Sequence, residues 1–204
     1  YLIIYSCFIM SVSLQAQEHF ADRYNVSYIT MDDGLPHNFI DDIYKDTRGF
    51  LWISTAGGGL SRYDGYEFIH FNPNTPHSKL KSNFIHNVYE DRFHRLWIVS
   101  EGGTDIIDLS TLQSVIPNDP KGLLPRFINH PTYIVILDSQ GCIWLQCDNA
   151  LHRITFDAEG GIDTLSTLDL PEQDEPDLIL KDIDEDGKIW TGINGTIYKI
   201  TPTP

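Results

Sequence analysis

Residues 39–65 read FIDDIYKDTRGFLWISTAGGGLSRYDG, and the chain repeats the pattern three more times. The second copy is FIHNVYEDRFHRLWIVSEGGTDIID (84–108). The third is PTYIVILDSQGCIWLQCDNALHRI (131–154), and the fourth LILKDIDEDGKIWTGINGTIYKI (178–200). Each holds one tryptophan and the chain has no others: Trp52, Trp97, Trp144 and Trp190, spaced 45, 47 and 46 residues apart (97−52, 144−97, 190−144). Asp46, Asp91, Asp138 and Asp184 each stand six residues before a tryptophan. A period in the mid-forties is one supersecondary unit copied several times. The first two copies share a further signature, Leu35-x-x-Asn38-Phe39-Ile40 and Leu80-x-x-Asn83-Phe84-Ile85.

Each unit reads as strand, turn, strand, turn, strand. In the first, Phe39–Lys45 alternates, and Thr47-Arg48-Gly49 turns with glycine supplying positive φ. Phe50–Thr55 is the tryptophan strand, Gly57-Gly58-Gly59 the next turn and Leu60–Tyr63 a third strand. Asp64-Gly65 is a hairpin turn, and Tyr66–Phe71 is the fourth strand. Short strands at even spacing predict an all-β fold, and the repeat narrows it to a β-propeller with four-stranded blades. The expected blades are 38–72, 83–116, 131–169 and an incomplete 177–204, about four in a partial ring. Residues 18–37 are expected to be a linker, with Tyr24–Met31 an outer strand for a blade outside this sequence. The tryptophan strand is apolar on both faces (Leu51/Ile53, Leu96/Ile98, Ile143/Leu145), as a blade buried between neighbours requires. Tryptophan is large enough to fill the gap between blades. The aspartate is expected to close the first hairpin by accepting backbone N–H bonds. A partial ring exposes unpaired blade faces and should be prone to aggregate.

Net charge is −15. Phosphate contacts dominate nucleic-acid affinity, so direct nucleic-acid binding is not expected. Residues 1–17, YLIIYSCFIMSVSLQAQ, carry no charge. The run Leu2–Leu14 is shorter than the roughly 20 residues of a membrane span. It has the length of a signal-peptide core, with Ala16 before a cleavage point and the basic n-region missing. Cys142 and Cys147 lie five apart on one predicted strand and cannot pair there, so neither a disulfide framework nor a zinc site is expected.

Asp182-x-Asp184-x-Asp186-Gly187 resembles the start of a calcium loop, but position twelve, a bidentate glutamate in such loops, is Ile193. An ordinary blade hairpin is the stronger reading, because Asp184 is the repeat aspartate. Gly57-Gly58-Gly59 precedes a strand, where a phosphate cradle would precede a helix. The histidines lack metal-site spacing, and no nucleophile elbow occurs. No catalytic residue, metal site or cofactor is expected. The connections 72–82, 116–131 and 170–177 remain as binding surface. His77, Asn83, His86, Phe127, Asn129 and Tyr133 are the candidate contacts to a sugar or other polar ligand.

Residues 32–68 strongly resemble the two-component regulator propeller repeat. Asp33-Gly34-Leu35, Asn38, Asp46, Gly49, Leu51-Trp52-Ile53, Thr55, Gly59-Leu60, Arg62 and Tyr63-Asp64-Gly65 match its pattern. The second copy has His94 at the turn glycine, and the later copies match more loosely. The resemblance implies a seven-bladed propeller and the periplasmic sensor of a hybrid two-component histidine kinase at the inner membrane. It further implies a homodimer, a membrane-linked kinase in the same protein, and an oligosaccharide ligand controlling carbohydrate-utilisation genes. No kinase or DNA-binding segment lies in these residues, so the chain itself is not expected to be an enzyme. Propeller lyases and lactone hydrolases have a similar blade signature, which keeps an enzyme and an interaction scaffold as alternatives.

Overall fold

The computed structural model describes residues 26–76, 79–147, 150–169, 179–184, 186, 188–193 and 196–201. The proposed signal segment, Cys7, His77 and the connection 170–177 lie outside the described residues. Among the described residues, four antiparallel sheets follow one another. The first is β1 (Ile40–Lys45), β2 (Leu51–Thr55), β3 (Gly59–Tyr63) and β4 (Phe68–Phe71). The second is β5 (Ile85–Glu90), β6 (Arg95–Ser100), β7 (Gly103–Asp108) and β8 (Gln113–Ser114). The third is β9 (Thr132–Leu137), β10 (Ile143–Cys147), β11 (Ala150–Phe156) and β12 (Ile162–Asp169). The fourth has three strands, β13 (Ile179–Ile183), β14 (Ile189–Ile193) and β15 (Thr196–Ile200). Within each sheet the strands lie in chain order. Neighbouring sheets meet through their first strands, β1 on β5, β5 on β9 and β9 on β13. The sheets therefore fan out from an inner edge, which is the arrangement of propeller blades.

The repeat aspartate does more than close its turn. In blade one, Asp46 Oδ1 accepts the N–H groups of Arg48 (3.0 Å) and Phe50 (2.9 Å), while Oδ2 accepts the Trp52 indole N–H at 2.9 Å. Asp91 treats Phe93, Arg95 and Trp97 in the same way, Asp138 treats Gln140, Cys142 and Trp144, and Asp184 treats Asp186, Lys188 and Trp190. One carboxylate thus fixes a turn and aims an indole. Hydrogen bonds to a charged acceptor contribute about 1.5–3 kcal/mol each. A cation completes two of the clamps. Arg153, opposite Trp144 on β11, donates to Asp138 at 3.1 Å. In blade two the residue opposite Trp97 is Ile106, and Arg95 from the tryptophan's own strand reaches Asp91 at 2.7 Å.

Trp52, Trp97 and Trp144 are each aimed into the seam towards the next blade. Trp52 joins Leu60 and Phe71 of blade one with Ile85, Val88 and Ile98 of blade two. Trp97 packs with Val135, Leu145 and Phe156 of blade three, and Trp144 with Ile189 of blade four. The connections plug the seams from one end. Leu80 (1% exposed) fills the first seam, and Leu124 with Phe127 fills the second. Leu35, the counterpart of Leu80, is buried beside blade one. The glycine turns lie beneath these connections: a Cβ on Gly103 (φ +116°) would come 2.2 Å from the Ile128 carbonyl oxygen.

Three local features stand beside the repeat. Residues 26–30 join none of the four sheets, and Met31–Asp33 form a single 3-10 turn capped by Thr30. Pro125–Ile128 forms a one-turn helix, with proline's fixed φ at its start. His94 takes the turn glycine's left-handed conformation (φ 58°), and its ring bonds Glu90 at 2.8 Å.

Candidate ligand-binding face

The inner strands of the first three blades share an irregularity. Pairing slips by one residue between Ile40 and Asp42, between Ile85 and Asn87, and between Thr132 and Ile134. The extra residues are Asp41, His86 and Tyr133, each eleven before its tryptophan (52−41, 97−86, 144−133). A bulge leaves its extra residue unpaired and re-aims the side chain. Because β5 packs on β9, the bulges bring the His86 and Tyr133 rings together, with centroids 5.4 Å apart. Tyr133 stays 36% exposed, and His86 Nε2 is buried with no hydrogen-bond partner among the described residues. The pair forms a small aromatic shelf at the inner edge, and Asp41, the equivalent bulge residue of blade one, is exposed.

One residue further along, side chains tie the inner strands together. Asp42 Oδ2 accepts the Val88 N–H at 3.2 Å and the Asn87 side-chain amide at 3.1 Å. Asn87 Oδ1 accepts the Val135 N–H at 2.9 Å. The sequence reading missed both residues. They share a repeat position, but one is an aspartate and the other an asparagine, and the third copy has Ile134. Bulge and tie together fix the shelf on rigid strands.

The other candidates are dispersed. The Asn83 carbonyl accepts the Gly59 N–H at 3.0 Å across the first seam, and its side-chain Oδ1 is buried with no hydrogen-bond partner among the described residues. Phe127 is 1% exposed, with its ring 4.7 Å from His152, so it presents no surface to a ligand. Helical spacing explains this: Leu124 and Phe127 fall on the same side of one turn, and both plug the seam. Asn129 is exposed and caps that turn through its backbone.

At the far end of the inner strands, Glu90 ties blades one and two. It accepts the Thr47 N–H and hydroxyl, both at 2.7 Å. Burial pushes its carboxyl up, but the Thr47 and His94 bonds outweigh this and hold it below the ordinary carboxylate value. Burial also pushes the neighbouring Tyr44 hydroxyl up to about 12. At the calcium-like motif, the Asp184 carboxylate is taken up by Trp190 and two backbone N–H groups, and Asp186 pairs with Lys188. These are bonds of a hairpin.

With this geometry in place, known proteins give a consistent likeness. Residues 34–57 and 79–102 match the two-component regulator propeller family. The chain is similar to the extracellular domain of a hybrid two component system from B. thetaiotaomicron, at 25% identity and a TM-score of 0.57. That match covers 82% of this chain and 23% of the other. A second such domain from the same organism is 18% identical with a TM-score of 0.56, covering 86% of this chain and 30% of its own. Virginiamycin B lyase from Staphylococcus aureus shares the fold at 16% identity and a TM-score of 0.54, covering 81% of this chain and 57% of the lyase. No curated protein matches. Two stretches of the chain thus match the two-component regulator propeller repeat, and the chain spans about a quarter of the length of the extracellular domains it resembles.

Proposed function

We propose that this chain forms part of an extracytoplasmic, ligand-sensing propeller of a hybrid two-component sensor histidine kinase. The observation that carries the reading is its likeness, over 82% of its length, to the extracellular domain of such a system. In this reading residues 1–17 export the protein, and the blades stand at the periplasmic face of the inner membrane. The chain binds and does not catalyse; the kinase is a separate part of the same protein. The ligand is an oligosaccharide, held over the His86–Tyr133 shelf with Asp41 as a hydrogen-bonding neighbour. An aromatic face with a few convergent polar groups suits a sugar ring. The ligand shifts the population of two propeller arrangements in a homodimer, and this biases the kinase and hence carbohydrate-utilisation genes.

Calorimetry of the complete extracytoplasmic region against a panel of oligosaccharides tests the reading. At least one glycan class should bind, and His86→Ala with Tyr133→Ala should abolish that binding without lowering the melting temperature appreciably. If every glycan class fails to bind, the sensing of oligosaccharides is lost as an explanation.

A further inference from the structure

An open groove of about 220 Å³ lies on blade two, and neither His86 nor Tyr133 lines it. The connection carrying Lys79 and Lys81 forms one wall. Ile106, Val115, Ile116 and Ile128 form its apolar lining, and Ile116 is 72% exposed. Lys81 is held in place: its Nζ donates to Asp105 Oδ1 at 2.9 Å and to the Thr104 carbonyl at 2.8 Å, and its N–H donates to Asp105 Oδ2 at 2.9 Å. Asp105 is only 9% exposed. The exposed Lys79 has no bonded partner among the described residues.

The repeat supplies its own control. Leu35 and Leu80 are equivalent plugs, so Lys79 and Lys81 stand where blade one has Gly34 and Pro36. Gly59 and Gly103 open equivalent strands, so Asp105 stands where blade one has Ser61. The backbones follow the same path, with Pro36 lying over Gly58 as Lys81 lies over Gly102. Blade one thus has neutral residues at all three of these positions. Burying a carboxylate against an ammonium costs desolvation that the fold does not require. Such departures from a repeat's local rule concentrate at functional positions. In a chain of net charge −15, the groove also gathers two lysines at one rim.

We infer that this groove binds a small organic anion with an apolar body. The anionic oxygens lie between the Lys79 and Lys81 ammonium groups, and the body lies on Ile116, Val115 and Ile128. A carboxylate and a phosphate monoester share this chemistry. The site is separate from the aromatic shelf and does not depend on it.

Calorimetry of the full chain with phenylacetate, phenyl phosphate, the neutral phenylacetamide and acetate is the test. One or both aromatic anions should bind, and which one does identifies the anionic group. Phenylacetamide and acetate should bind at least tenfold more weakly, and added salt should weaken the anions. Lys79→Gln should cost about tenfold in affinity, near 1.4 kcal/mol. A triple variant copying blade one into the groove (Lys79→Gly, Lys81→Pro, Asp105→Ser) should abolish binding while keeping a cooperative melt. His86→Ala with Tyr133→Ala should leave it unchanged, which separates this site from oligosaccharide binding. Equal binding of phenylacetamide, binding insensitive to Lys79→Gln, or no binding of either aromatic anion overturns the inference.

Discussion

Trp97 and Trp190 occupy the same place in two copies of one unit, and they have different surroundings. Both indoles donate to the aspartate six residues earlier, at 2.8 and 2.9 Å. Trp97 is 0% exposed and Trp190 37%. Blade three covers Trp97 with Val135, Leu145 and Phe156. Among the described residues, nothing comparable covers Trp190. Local sequence therefore sets the clamp, and the neighbouring blade determines how much the clamp stabilises. The clamp is a positioning device; the burial that follows from it provides most of the stability.

The largest expected effect comes from removing the covered indole. Trp97→Ala should destabilise the chain by about 3–5 kcal/mol in urea denaturation, the range for a buried aromatic. Trp190→Ala should cost about 1 kcal/mol, as a partly exposed side chain away from the core does. Equal losses would show that the clamp, and not the covering blade, carries the energy. In a longer protein containing the blades proposed to follow, the cost at Trp190 should rise towards that at Trp97.

Asp91→Asn comes next. It leaves the Arg95 guanidinium, itself nearly buried, without its carboxylate. Breaking such a pair costs about 3–5 kcal/mol when fully buried, and somewhat less is expected here because the asparagine still accepts one bond. Asp184→Asn should shift the melting temperature far less.

The acid limb of stability offers a finer test. Burial raises the Asp138 carboxyl, but the Cys142 N–H, the Trp144 indole and Arg153 outweigh it, so its folded value lies below 3.8. A carboxyl depressed in the folded state stabilises the protein above its unfolded value. That contribution disappears as pH falls from about 3.8 through the folded value. Asp138→Asn should lower stability at neutral pH and flatten its decline below pH 4. An unchanged acid limb would mean that Asp138 is not the titrating group.

The smallest expected effects are a tie and a probe. Asn87→Ala leaves the Val135 N–H unpaired at the inner edge and should cost about 1–2 kcal/mol. Acrylamide should quench one class of tryptophan fluorescence readily, and Trp190→Phe should remove that class. If the readily quenched class persists in this variant, the contrast between the two tryptophans fails.

Features that recur with the period were legible in the chain. The aspartates and tryptophans repeat, so their role as scaffold could be read without coordinates. The indole hydrogen bond could not, because the expected partners of the aspartate were backbone N–H groups. Leu35 and Leu80 repeat, yet nothing in the sequence marks Phe127 as buried. Its connection has its own length, and no copy shows that such connections must also plug a seam. Asp42 and Asn87 escaped notice because their partners lie 45–48 residues away on the next blade. Of the nominated ligand contacts, the bulges unite His86 with Tyr133, and burial withdraws Phe127.

By itself, the sequence determined what is local and periodic: strand alternation, turn chemistry, the aspartate–tryptophan spacing, the four blades and the family likeness. These depend on residues within one hairpin, where the chain dictates who meets whom. The tertiary structure decided what lies between blades: which indoles are covered, which bulged residues meet at the inner edge, and where Lys79, Lys81 and Asp105 open a charged groove. Those contacts join residues from different copies, and only the packing of one blade on the next sets their distance.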